Sequence, residues 1–217
     1  MLIPCLVSCQ FLLESCGLYA LANVRIPPAN ETRNILLKLT TSLVSQRFCA
    51  GDAEVSFLRM KLRLRYINVG DRPIILDKGS NYSSGFTVSK TIADAAGGKP
   101  ELVQPDGTIV TYPDEPRFTK NQRLDSSFVV LQKGSSFDTT CEVVVAFAMD
   151  DEAAPPGTIK KGEHVLQVEV VTWWDSPELA EELAAKWKKR GYLWHQIVES
   201  EPMPFRIDKN VELENCN

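Results

Sequence analysis

Between Leu58 and Tyr66 the chain alternates without a slip. Leu58, Met60, Leu62, Leu64 and Tyr66 share one parity, and Arg59, Lys61, Arg63 and Arg65 share the other. A period of two belongs to a pleated strand, whose successive side chains point to opposite faces. On a helix the same residues would scatter round the axis. The row therefore demands a sheet with one dry face and one wet, basic face, which is the habit of antiparallel sheets. It also pins the register, because a slip of one residue would drive four cations into the core. Asn68-Val69-Gly70-Asp71-Arg72-Pro73 then breaks the row with turn-forming residue types, and Ile74-Ile75-Leu76 begins the next strand. The unit is a hairpin or a corner.

Further strands are expected at 35–44, 86–92, 108–112, 128–131, 137–149, 163–174 and 193–198, with an edge segment at 203–205. In the 137–149 run, Cys141, Val143, Val145, Phe147 and Met149 share a face. The opposite face carries Val144, Ala146 and Ala148, small and apolar, so a cover is expected over it. One helix is expected at 176–190. Ser176 is a suitable N-cap and Pro177 suits the first helical position. Glu178, Glu181 and Glu182 load its start, while Lys186, Lys188, Lys189 and Arg190 load its end, as the helix dipole favours. Gly191 follows as the C′ residue. Leu179, Leu183 and Trp187 form its apolar stripe, the expected cover for Ala146 and Ala148. The fold class is thus all-β, an antiparallel sandwich of seven to nine strands with one inserted helix near the C-terminus.

Composition bounds the rest. A chain of 217 residues with 44% hydrophobic content makes one domain, or one domain with a leader and a small addition, whose core needs no metal or disulfide staple. The net charge of −4 opposes a nucleic-acid partner. The basic row then reads as a solvated face whose charges meet acidic neighbours, Glu169 being one candidate.

The organisation expected is an export leader or disordered N-terminus at 1–22, a linker at 23–34, one β domain at 35–207 and a polar, frayed tail at 208–217. Ala20-Leu21-Ala22 has the small-x-small form of a secretory cleavage site, although Glu14 interrupts the apolar run and the first basic residue is Arg25. Leu6-Val7-Ser8-Cys9 has the form of a bacterial lipobox, in which Cys9 would carry lipid. Either reading places the protein in the periplasm, the cell envelope or outside the cell. An uncleaved leader would leave it cytoplasmic. No stretch reaches the ~20 uncharged apolar residues of a spanning helix.

The six cysteines show no CxxC spacing, which argues against a zinc or redox site. For Cys49 and Cys141, near strand ends, two readings stand: a bridge, or buried free thiols, which are the commoner state. Only His164 and His195 are present, each expected at the surface or half buried and neither in a metal-ligand spacing. The contiguous acids Asp150, Asp151 and Glu152 lack the spacing of a calcium loop. No nucleophile elbow, phosphate loop or dinucleotide fingerprint occurs. The reading contains no catalytic residue, no metal and no cofactor. Trp173, Trp174 and Trp194, with Trp187 nearby, admit two accounts. They form a stacking platform for a glycan or peptide, or they form a small core between helix and sheet, the commoner outcome.

At Asn68–Ile74 and again at Leu131-Gln132-Lys133-Gly134-Ser135-Ser136-Phe137 the chain resembles bacterial immunoglobulin-like, fibronectin-III-like β-sandwich domains of exported proteins. Many of those carry an N-x-G corner after a long strand and an L-x-x-G-x-S-F turn before another. Lys133 stands where a proline is usual, the Cys…Trp…Cys pattern of antibody domains is absent, and the 176–190 helix is an insertion. The resemblance covers 35–207 as architecture and two short structural motifs as sequence. It implies a non-enzymatic module that binds an unidentified protein or serves the envelope structurally. The alternative expectation is a carbohydrate-binding or glycan-acting module built on the tryptophans.

Overall fold

The computed structural model describes residues 36–52, 54–78, 82–104, 118–173 and 176–216. The leader, Cys9, the linker, Trp174 and the strand expected at 108–112 lie outside the described residues. In chain order the elements are β1 (Leu37–Cys49), β2 (Val55–Asn68), β3 (Ile74–Asp77), β4 (Tyr82–Ser89), α1 (Ile92–Ala96), β5 (Leu102–Gln104) and β6 (Phe128–Leu131). There follow β7 (Ser136–Ala148), β8 (Gly162–Thr172), α2 (Pro177–Trp187), β9 (Tyr192–Leu193), β10 (Ile197–Glu199) and β11 (Met203–Ile207). The chain is predominantly β, and its strand pairs are antiparallel apart from β3 with β9. Eleven strands and two helices stand among the described residues, where seven to nine strands and one helix were expected. The additions are short pieces, too brief to show a period.

β2 is the middle strand of the sheet β1-β2-β7. Its apolar row does what the alternation requires: Leu58, Met60, Leu62 and Tyr66 are fully buried and Leu64 nearly so. Each such burial is worth about 1.5–3 kcal/mol. A second sheet runs β10-β8-β4-β5, with β11 also paired to β8. One cluster holds the inner rows of both sheets, including Val143, Val145 and Phe147 from β7 and Phe86, Val88, Leu166, Val168 and Val170 from β4 and β8. The third sheet is β6-β3-β9.

The two motifs that carry the family resemblance meet in space. Buried Asn68 donates from Nδ2 to the carbonyls of Arg72 (2.8 Å) and Leu131 (2.9 Å) and accepts the Gly70 N–H (3.0 Å). Gly134 returns an N–H to the Asn68 carbonyl at 2.8 Å. Its φ of +75°, where a side chain would be strained, explains the glycine there.

The helix lies elsewhere than expected. Ala180, Leu183 and Trp187 of α2 join Ile75, Phe128, Trp173 and Leu193 in a second cluster, on the β6-β3-β9 sheet. Val144 and Ala146 stay half buried, and at the edge of β7 Ile159 pairs with its end, its N–H reaching the Ala146 carbonyl and its carbonyl accepting from Ala148. Gly191 is also required for another reason. Its φ is not positive; a Cβ there would lie 2.8 Å from the Pro73 carbonyl oxygen, so the glycine lets β9 close on β3.

The cysteine pairing differs as well. Cys49 is bonded to Cys216, and Cys141 is a buried free thiol. A Cys49–Cys141 bridge is geometrically closed. Cys49 stands opposite Phe57 on one side of β2, and Cys141 stands opposite Leu62 on the other. Two strand spacings, about 10 Å, separate them laterally, against a Cα reach of about 7 Å for a disulfide. The tail is accordingly not frayed at Glu214, whose N–H and carbonyl bond Phe48 and Ala50 at 2.8 Å each.

Candidate functional site

Among the described residues β1 is an edge strand, because its sheet ends there. Its outer side is closed at two points by the chain itself. Glu201 N–H bonds the Leu39 carbonyl, and Glu214 N–H bonds the Phe48 carbonyl. Between these points no described residue bonds the outward backbone of β1. Period two, carried through the register shift between Leu43 and Ser45, turns the N–H and C=O groups of Thr41, Leu43 and Gln46 outward. Unpaired edge groups of this kind template the addition of a strand.

The outer face of the same sheet is basic. Arg65 holds Asp138 of β7 through two bonds of 2.8 Å, and this hydrogen bonding keeps the Asp138 carboxyl below its ordinary range. Arg59 reaches Glu142 of β7 at 3.4 Å, and Lys38 reaches Glu201 at 2.7 Å. The partners of the basic row thus come from β7, not from Glu169. Arg47, Lys61 and Arg63 form no ion pair within 4 Å among the described residues. Arg47 also stands directly opposite Arg59, a like-charge pairing that costs stability.

A second feature lies on the outer face of the β4–β8 sheet, beneath α1. A groove of about 440 Å³ is lined by Thr87, Ser89, Gln167, Glu169 and Glu199 among others. Glu169 and Glu199 face each other across β8 and β10. Burial, and then the neighbouring Glu199 charge, push the Glu169 carboxyl upward. Sequence reading missed this pair because the two residues are remote in the chain and only strand order joins them.

The sequence-nominated residues are scattered. Trp173 and Trp187 belong to the second cluster and Trp194 to the main core. Trp194 donates its indole N–H to the Gln196 carbonyl at 3.0 Å. Trp173 is 1% exposed and Trp194 7%, so neither offers a ring face to a glycan. His164 is buried, where a surface or half-buried place was expected. Its Nδ1 lies 3.0 Å from Glu101 Oε2 and its Nε2 2.7 Å from the Lys160 carbonyl, with the ring stacked on Phe205. His195 is half buried and its Nδ1 meets the Leu193 carbonyl. Burial pushes the Cys141 thiol up to about 12. Among the described residues no three His, Cys, Asp or Glu side chains are grouped to hold a metal ion, and no helix is long and apolar enough to cross a membrane.

No protein-family model matches the chain, and no curated protein matches it. A solved structure described as the X-ray structure of Northeast Structural Genomics Consortium target SoR45 is similar at 12% identity, over 85% of this chain and 95% of that one, with a TM-score of 0.33. So distant a likeness carries no argument about function.

Proposed function

We propose that the chain is a non-enzymatic, exported or envelope-associated module of immunoglobulin-like type that engages another protein through the β1 edge. The observation that carries this reading is the β1 backbone between Leu39 and Phe48, which no described residue bonds on its outward side and which the chain's own C-terminal segments close at both ends. The Cys49–Cys216 bond supports export, because disulfides persist in oxidising compartments. The test is a photo-crosslinking residue at exposed Val44, with exposed Ile92 as the control position, in the native host. A discrete adduct from position 44 alone supports the reading; no adduct from 44 defeats it. Sequencing the mature N-terminus tests export: an intact Met1 in a cytoplasmic fraction ends that part.

A second reading, a carbohydrate-binding module, is favoured by the groove rather than by the tryptophans. Glu169 and Glu199 would accept hydrogen bonds from sugar hydroxyls there. Glycan-array binding that Glu169→Gln abolishes and Trp174→Ala leaves intact would promote it.

A further inference from the structure

The edge of β1 carries more than unpaired backbone, because the side chains on its two faces are arranged differently. On the outer face β1 presents Thr40, Ser42 and Ser45 opposite Arg65, Arg63 and Lys61. These small residues leave the longer β2 cations room to reach across β1 toward the edge. Arg47 stands at the edge itself. Arg47, Lys61 and Arg63, which form no ion pair within 4 Å among the described residues, thus share the outer face beside this edge, on β1 and on the strand next to it. On the inner face the row reads Leu39, Thr41, Leu43, Gln46 and Phe48. Leu43 lies opposite buried Leu62, yet it is 43% exposed. Among the described residues no strand lies beyond it on the edge side.

We infer that this slot accepts one extended segment of a partner protein, added as a further strand on β1, whose side chains alternate between carboxylates and small apolar groups. The inference rests on the reading of β1 as the contact surface. Its backbone would satisfy the outward groups of Thr41, Leu43 and Gln46. Its carboxylates would meet Arg47, Lys61 and Arg63, and its apolar side chains would cover Leu43 and Thr41. From Leu39 to Phe48 the slot holds about eight residues at about 3.3 Å each. A second copy of this chain is a poor occupant. Self-pairing of two β1 edges would set their cations side by side with no acid between them, and like charges across strands repel. Nucleic acid matches the charge but lacks the peptide groups that the edge requires.

The test uses the full chain and short fluorescent peptides read by anisotropy. One peptide alternates glutamate with valine, one alternates lysine with valine, and a third repeats the first with alternate amides N-methylated. A single-stranded DNA oligonucleotide of equal charge is the fourth probe. The glutamate peptide should bind, and its affinity should fall with added salt. Lys61→Glu combined with Arg63→Glu should weaken it by about tenfold or more, with unfolding curves to verify that the variant folds. The N-methylated peptide needs no variant and should not bind, since it keeps the charge and loses the donors. Equal binding of the lysine peptide, the N-methylated peptide or the DNA overturns strand addition, as does no binding of the glutamate peptide. An adduct at Val44 with failed peptides would remove this inference and leave the interaction module; failure of both would remove both.

Discussion

Cys49, the last residue of β1, is bonded to Cys216, 167 positions further along the chain. The link and the backbone bonds of Glu214 fasten the C-terminal segment against the end of β1. They also form one of the two stops that bound the open edge. Closing so long a loop restricts the unfolded chain, and the chain-entropy account gives about 5 kcal/mol, with about 2–5 kcal/mol the usual loss on removing a native bridge. Cys216→Ser should therefore lower the midpoint of denaturant unfolding strongly, and reducing agent should do the same to the parent and nothing more to the variant. An unchanged midpoint would mean that the tail is held without the sulfur bond.

Gly191→Ala should destabilise although the backbone φ is permitted for alanine. The added Cβ meets the Pro73 oxygen at 2.8 Å and Ile75 Cγ1 at 3.2 Å, and the nearer atom is backbone that cannot rotate away. Relief requires β9 to withdraw from β3, which strains the bonds from Tyr192 N–H to Pro73 and from Trp194 N–H to Ile75. A cost of about 1–3 kcal/mol is expected, as for other overpacked sites. Gly157→Ala, at a position with open space but a φ of +80°, separates crowding from backbone strain in the same denaturation assay.

Two carboxylates should give opposite pH signatures. Asp138 titrates below its ordinary range because Arg65 hydrogen-bonds it, so its contribution is present above the unfolded-state value and is lost as pH falls through the folded one. Asp138→Asn should flatten the acid limb of the stability curve. Glu169 titrates above its ordinary range through burial and Glu199, so the folded state loses stability as pH rises from the unfolded to the folded value. Glu169→Gln should remove that loss and leave the protein as stable or more stable at neutral pH. Both effects are read from urea midpoints across the pH range. An acid limb unchanged by Asp138→Asn would deny the Arg65 pairing a role in solution.

His164 ties two loops to the end of β8. One ring nitrogen meets Glu101 and the other the Lys160 carbonyl, although a neutral imidazole donates to only one of them. His164→Phe keeps the stacking on Phe205 and loses both polar links, with a cost of about 1–3 kcal/mol from the acceptors left behind. Hydrogen exchange should quicken around Lys160 and Glu101 and stay unchanged in β2. Uniform quickening would point to a global effect instead.

What the sequence yields here depends on how local the cause is. The Leu58–Tyr66 row dictated β2 and its dry face because alternation is a property of neighbouring residues. The Asn68 corner and the Gly134 turn were legible for the same reason. α1 escaped notice, since five residues show no period, yet Thr91 and Asp94 carried its signal: the Thr91 hydroxyl accepts the Asp94 N–H and bonds the Asp94 carboxylate. The stripe of α2 announced that a cover was needed, not which sheet it covers. The Cys49 partner follows from where the C-terminal segment docks, and the edge status of β1 and the facing of Glu169 and Glu199 from strand order; no short window of sequence holds either.

The tryptophans supply the last prediction. Trp173, Trp187 and Trp194 lie inside the protein, packed with Phe118, Phe128 and Tyr192. Trp173 holds this place at a φ of +59°, a conformation costly for a bulky residue, so packing must over-determine it. In a Trp174→Phe variant the three remaining indoles should emit at short wavelength and resist iodide quenching. Denaturant should red-shift the emission in a single step with the loss of β signal in circular dichroism. Trp187→Ala should cost about 3–5 kcal/mol, as for other large core truncations, and should release α2 before the β1-β2-β7 sheet. Red-shifted, readily quenched emission from the folded variant would put these rings at the surface and restore the stacking platform as a candidate site.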